Sequence, residues 1–296
     1  MIVALVDNGS LEPAAHVQLR ALATALSERA GVEVHAVSWK HSDRIPSDRL
    51  SAIGDQRSAL SDQLSASGSS LLAPSSQHSA PALTLTPFVR ARFAAGEREF
   101  LFVPFFISPQ GAIGSTLRGD LEALRAELGA FSFAFTAGLA DRGAVPAIVA
   151  DRIRETITSG ALARPAVVVV DHGGPSAVSA ALRDRLAAEV RALLGGAVGL
   201  LVAASMEGAH GPHLADILRS PEFSRGEVVV APLFLAPGRH AGADGDLAQI
   251  ARAAAADCPA LRCHFTALVG SHPRAVAELA LALRAALAEF PAPLSA

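Results

Sequence analysis

Short runs of β-branched and aliphatic residues alternate along this chain with longer stretches whose apolar positions recur at helical spacing. The alternation is most regular in the second half. AVVVV (166–170) has the continuous hydrophobicity of a strand buried on both faces of a parallel sheet. AVSAALRDRLAAEVRALLGG follows with helical periodicity and stops at Gly195-Gly196. VGLLVAASM (198–206) predicts the next strand, HLADILRS a short helix and GEVVVAPLFLA (226–236) a third strand. A helix around 246–256, a strand at LRCHFTALV and a helix from Pro273 to Phe290 complete four β-α units. The first half repeats the order: IVALV before a helix at 13–29, VEVHAVSW before one near 88–94, EFLFVPFFI before 117–128 and FSFAFTA before 145–158. This pattern predicts an α/β fold of two tandem lobes, each a mainly parallel four-stranded sheet flanked by helices. The lobes are expected at residues 1–160 and 161–296, joined near Ser159 to Arg164.

The repeat is also written in particular residues. Asp7-Asn8-Gly9-Ser10 after the first strand answers Asp171-His172-Gly173-Gly174, and EFLFVPFFISPQGA answers EVVVAPLFLAPGRH. The offset falls from 164 residues (Asn8 to His172) to 128 (Pro104 to Pro232), so the first half carries 36 extra residues. They belong to a Ser-rich stretch at about 43–82 that lacks periodic hydrophobicity and has the composition of a surface loop.

Composition narrows the classes. The chain of 296 residues is long enough for two cores, and none of its apolar runs has the length of a membrane span. MIVALVDNGS has no basic region before its apolar run and is expected to be a strand rather than a signal peptide. A net charge of −3 argues against broad nucleic-acid binding. Cys258 and Cys263 form no recognisable zinc or disulfide framework, which suits a reducing cytoplasm. Lys40 is the single lysine among 25 basic residues.

Three residues stand out by position. His172 follows the first strand of the second half, Glu207 the second and His240 the third, at spacings of 35 and 33 residues. Loops beyond the carboxyl ends of neighbouring parallel strands converge on one crevice, so these side chains are expected to meet. Imidazoles suit borderline divalent metals such as Fe²⁺, Co²⁺ and Ni²⁺, and both imidazole and carboxylate can accept protons. A catalytic zinc site is the alternative, without the HExxH helix that usually marks one. The aligned positions of the first half hold Asn8 and Ala112, and His41 or Asp43 is expected opposite Glu207. Asn8 cannot cycle a proton and Ala112 can neither ligate nor titrate, so one active site is expected, in the second half. Weaker candidates surround it. Gly173 and Gly174 could offer N–H groups to an anion, and Arg239 could pair with a carboxylate. His210 and His213 are either an auxiliary metal patch or solvated loop residues, His264 is expected to be packed or solvated, and His272, after the fourth strand, is an outside candidate.

These residues resemble those of the class II chelatases that insert a divalent metal into sirohydrochlorin, the cobalt- and iron-inserting family of cobalamin and siroheme synthesis. The likeness lies in Asp171-His172-Gly173 after a strand, Glu207 after the next, PLFLAPGRH (232–240) with Asp244 four residues on, and SHPR (271–274). It runs through both halves and is poorer in the first, where Thr116 stands opposite Asp244. The resemblance implies a lyase with His172 and His240 facing a tetrapyrrole centre and Glu207 assisting metal delivery or proton removal. It implies no organic cofactor, because the metal (Co²⁺, Fe²⁺ or Ni²⁺) is itself a substrate. It also implies no nucleic-acid or membrane partner and a monomer or homodimer. Gly173, Gly174, Arg239 and Asp244 would line the substrate, and the degenerate first lobe would form a wall near it, with Arg118 at the rim. Usual glycine-histidine-glycine-serine text is changed here at Asp171 and Gly174. That departure and the lost first-half residues motivate the rival reading of a non-catalytic tetrapyrrole or metal carrier.

Overall fold

The computed structural model describes residues 1–41, 83–107, 112–242 and 244–289; the Ser-rich stretch at 43–82, with Asp43, lies outside them. In the first half, β1 (Ile2–Asp7), β2 (Val34–Ser38), β3 (Glu99–Pro104) and β4 (Ser132–Phe135) alternate with helices. These helices are α1 (Pro13–Ala30), α2 (Leu85–Ala94), α3 (Ala112–Leu128) and α4 (Ala144–Ser159). The second half gives β5 (Ala166–Gly173), β6 (Leu201–Glu207), β7 (Glu227–Pro232) and β8 (Arg262–Phe265). Its helices are α5 (Ala177–Leu194), α6 (Leu214–Arg219), α7 (Asp246–Asp257) and α8 (Pro273–Glu289).

Each half builds one four-stranded sheet, wholly parallel, in the order β2-β1-β3-β4 and β6-β5-β7-β8. The two-sheet α/β fold expected from the sequence is therefore the fold found. Val167–Val170 are fully buried, as are Ala4, Leu5 and Val6 of β1. Strands covered on both faces need this unbroken hydrophobicity. Each fully buried aliphatic side chain contributes up to about 1.5–3 kcal/mol to its core. The first sheet's core is aromatic, with Phe100, Phe102, Phe131, Phe133 and Phe135 in mutual ring contact. The second uses Val168, Val170, Val228 and Val230 under Leu214, Leu218 and Leu247.

The compact units do not coincide with the linear halves. One unit is Met1–Arg142 together with Pro273–Ala296, and the other is Gly143–His272. α4 packs on α5 and β7, and α8 packs on α1, so the last helix of each half belongs to the unit built around the other sheet. Both helices bury an apolar stripe, Val145, Ile148, Val149 and Ile153 in α4 and Val276, Leu279 and Leu283 in α8. Such a stripe specifies burial without specifying against which sheet.

In both sheets the first strand lies between the second and third, so the order in which strands are added reverses at β1 and β3 and at β5 and β7. The crevice beyond the carboxyl ends at such a switch point is where open α/β sheets bind ligands. His172 ends up there.

Candidate active site

β5 runs two residues further than β1 relative to the repeat, so His172 and Gly173 are still in strand and Gly173 pairs with Glu207 of β6. Gly173 has φ of 83°, and a Cβ there would lie 1.6 Å from the main-chain oxygen of Glu207. Only glycine permits this crossing, and the crossing places His172 beside Glu207. Gly9 repeats it with φ of 82° and a Cβ position 1.7 Å from the oxygen of Lys40. The same register sets Asp7 against Ser38 and Asp171 against Ser205. The first-unit counterpart of Glu207 is therefore Lys40, in place of the expected His41 or Asp43; the offset at this point still precedes the insertion.

His172 Nε2 lies 3.1 Å from His240 Nε2 and 2.9 Å from Glu207 Oε1. The two rings meet edge to face, with centroids 4.4 Å apart. His240 comes from the loop after β7 and is held from behind: its Nδ1 donates to Asp246 Oδ2 at 2.6 Å. His172 Nδ1 donates to the oxygen of Gly173 at 3.2 Å. Carboxylate and carbonyl are acceptors only, so partner chemistry assigns the Nδ1 proton on both rings, and His172 Nε2 faces both His240 Nε2 and Glu207 Oε1. Acceptor atoms at these distances repel unless a proton or a cation is shared among them. The side chain of Glu207 is 62 % exposed and that of His172 45 %, while His240 is 31 % exposed. The most exposed of the three is thus the Glu207 carboxylate, and Asp246, His240, His172 and Glu207 follow one another at hydrogen-bond distance.

Among the described residues, no three His, Cys, Asp or Glu side chains are arranged to hold a metal ion. The separations of 3.1 and 2.9 Å are hydrogen-bond distances rather than a closed ligand cage.

The other candidates fall into place around this chain. Asp244 is 90 % exposed and pairs with Arg252 Nη1 at 3.1 Å; the carboxylate that reaches His240 is Asp246, two residues on. Arg239 Nε stands 3.7 Å from the same Asp246 oxygen, its guanidinium open to solvent. Gly174 follows the crossing with φ of 151°. His210 Nε2 donates to the oxygen of Pro175 at 3.0 Å and His213 Nε2 to that of Gly208 at 2.7 Å, so both fasten loops. His264 pairs with Glu227, and His272 is buried near Asp151 and Glu155 at 4.0 and 3.9 Å. Burial pushes the Cys263 thiol up to about 11, leaving it an inert thiol.

Under His172, Asp171 is held up from the ordinary carboxylate range by burial, against the opposing pull of Arg183. In the first unit Asp7, more deeply buried, is pushed up to about 6 despite hydrogen bonds from Ser38 and the Gly9 N–H. Asn8 and Lys40 are both exposed there. Lys40 Nζ sits 3.8 Å over the Trp39 ring, whose Nε1 donates to Asp120 at 2.7 Å. α3 starts at Ala112, earlier than the expected Leu117, whereas α7 starts six residues after His240. The position aligned with His240 is thus a helix start in one unit and a loop in the other. Arg118 lies over the Phe135 ring at 5.0 Å.

Sequence reasoning missed Asp246, Lys40 and Arg183. An acidic residue opening a helix already has a reason to be there, which hides the aim of Asp246.

Residues 166–286 match the CbiX family. A search of curated proteins returns no significant match. Among solved structures, the chain is similar to SirB from Bacillus subtilis with Fe³⁺, at TM-score 0.63 and 12 % identity over 98 % of this chain and 99 % of that one. It is also similar to the sirohydrochlorin chelatase SirB from Bacillus subtilis subspecies spizizenii in complex with cobalt. That match has TM-score 0.58 and 13 % identity, over 96 % and 94 % of the chains. CbiX, described as the terminal enzyme for biosynthesis of siroheme in denitrifying bacteria, aligns at TM-score 0.57 and 17 % identity over 97 % and 99 %. The family model thus matches the second half of the chain, and the whole chain carries the fold of the class II chelatases of the CbiX and SirB type.

Proposed function

We propose that this chain inserts a divalent metal into sirohydrochlorin or a closely related tetrapyrrole. His172, Glu207 and His240 are the reacting groups, and Asp246 orients His240. The observation that carries this reading is the facing pair of Nε2 atoms at 3.1 Å with the Glu207 carboxylate 2.9 Å from one of them. Insertion exchanges two pyrrole N–H protons for one M²⁺, so the site must take up two protons as the metal leaves it. Facing imidazoles do both jobs in turn. Their lone pairs bind a borderline cation, and once it has gone the same nitrogens accept protons. Glu207, open to solvent, passes protons outward. The chemistry calls for no organic cofactor, since the metal is consumed as substrate.

Co²⁺, Fe²⁺ and Ni²⁺ all suit two imidazoles and a carboxylate. The product would enter cobalamin or siroheme biosynthesis, and two free thiols suit a reducing cytoplasm. Gly173, Gly174 and Arg239 border the histidine pair and would meet the acidic substituents of the macrocycle. The test is absorbance-monitored metallation of sirohydrochlorin with each of Co²⁺, Fe²⁺ and Ni²⁺. Turnover above the uncatalysed rate with at least one metal is expected. Tetrapyrrole binding without turnover would favour a carrier instead.

A further inference from the structure

A buried arginine lies under the strand ends that carry His172 and Glu207. Arg183, on α5, is 2 % exposed. Its Nη1 donates to the main-chain oxygen of His210 at 3.1 Å and stands 3.5 Å from Asp171 Oδ1, while Nε and Nη2 both reach Asp184 Oδ1, at 2.9 and 2.8 Å. Asp171 immediately precedes His172, and His210 is the third residue after Glu207. At Gly211, with φ of 93°, a Cβ would come within 2.5 Å of Arg183 Nη2, so the backbone after Glu207 rests directly on the guanidinium.

The duplicated fold supplies its own comparison. α1 and α5 each have 18 residues, and the offset of 164 that pairs Asn8 with His172 pairs Leu19 with Arg183. Leu19 is fully buried. The same interior position therefore holds leucine beneath Asn8 and Lys40, and arginine beneath His172 and Glu207. A leucine there fills space at no electrostatic cost, whereas a buried guanidinium is costly unless paired and hydrogen-bonded. At this position the costly residue stands only in the unit with the histidine pair; of its long-range partners, Asp171 directly precedes His172 in β5 and His210 lies in the loop after Glu207.

We propose that Arg183 is a positioning residue that sets the separation of His172 from Glu207, acting through Asp171 and the His210 carbonyl and touching neither reacting group. Its consequence for turnover rests on the metal-insertion reading; its consequence for loop order does not. The fork of the guanidinium is what allows one side chain to serve both the end of β5 and the loop after β6 at once. A single ammonium cannot reproduce it.

The experiment uses the full chain with Arg183→Leu, which copies the first unit, and Arg183→Lys. Amide hydrogen exchange over 205–213 is measured beside metallation of sirohydrochlorin by Co²⁺. Arg183→Leu is expected to stay folded, to speed exchange at 207–213 relative to the other strand ends, and to lower kcat about 100-fold, the scale of a misplacement near 1 Å. Arg183→Lys should fall between it and the wild type in both readouts. If Arg183→Leu does not fold, faster exchange confined to 207–213 in Arg183→Lys carries the proposal, and unchanged exchange there overturns it. Wild-type exchange in a folded Arg183→Leu protein overturns it as well, as does undiminished turnover in an active enzyme. Absence of metallation by the wild type would remove the metal-insertion reading, and the exchange pattern would still decide the role of Arg183.

Discussion

His240 and Asp246 are six residues apart in the chain and 2.6 Å apart in space, Nδ1 to Oδ2, because the loop after β7 turns back on the first residue of α7. The contact fixes which nitrogen of His240 carries the proton and turns the other toward His172. A carboxylate behind a functional histidine is the usual means of setting tautomer and ring orientation. Asp246→Asn should therefore lower the rate of metal insertion by about 10- to 100-fold. Stability should change by less than about 1 kcal/mol, the worth of one anion at a helix N-terminus. Steady-state metallation beside chemical denaturation checks both. An unchanged rate would detach Asp246 from the chemistry.

Gly173→Ala tests the strand crossing itself. The new Cβ would fall 1.6 Å from the Glu207 oxygen, on a residue with φ of 83°. Left-handed strain and a backbone clash act together here, so a loss of at least about 2 kcal/mol is expected by urea unfolding. Insertion should fall as His172 and Glu207 are driven apart. A variant as stable as the wild type would mean that the β5–β6 crossing relaxes freely.

Two buried groups of the first unit give opposite pH dependence. Burial pushes His16, whose ring nitrogens both lack hydrogen bonds, down from 6.5 to about 4. It pushes Asp7 up from 3.8 to about 6. Between pH 6.5 and 4 the unfolded chain protonates His16 and the folded chain does not, so this contribution to stability is lost as pH falls. Between 3.8 and 6 the folded chain holds a proton on Asp7 that the unfolded chain releases, so this contribution is lost as pH rises through 6. Each slope approaches about 1.4 kcal/mol per pH unit, and the two cancel over most of pH 4 to 6. Relative to wild type, His16→Leu should gain stability from pH 6 to 4 and Asp7→Asn should lose it. Urea midpoints at pH 4, 5 and 6 check this; three parallel profiles would contradict it.

Much of this architecture was legible in the residues. The Val167–Val170 run announces a strand covered on both faces. The rule that strand carboxyl ends converge is enough to bring His172, Glu207 and His240 together. What escaped was contact chosen in three dimensions. The apolar stripes of α4 and α8 are plain, yet nothing local says that each joins the unit of the other half. His210 and His213 look like solvated loop residues, and their pairing with the oxygens of Pro175 and Gly208 depends on how two loops fold back. Arg183 sits at an apolar position of a helical repeat, where a sequence pattern alone would place it on the rim.

The assignment of the site to one unit is the central claim, and initial metallation rates of His240→Ala against Asn8→Ala test it most directly. His240→Ala gives the second unit the residue that the first has at Ala112, removing a ligand and a base together. With melting as the folding control, His240→Ala should lose at least about 100-fold in rate, as for loss of an acid-base group. Asn8→Ala should keep the wild-type kcat. Adding Ala112→His to His240→Ala should restore nothing, because α3 begins at that residue and Lys40 stands where a carboxylate is needed. Near-normal turnover by His240→Ala, with loss of turnover in Asn8→Ala, would place the active site in the other unit and contradict this account.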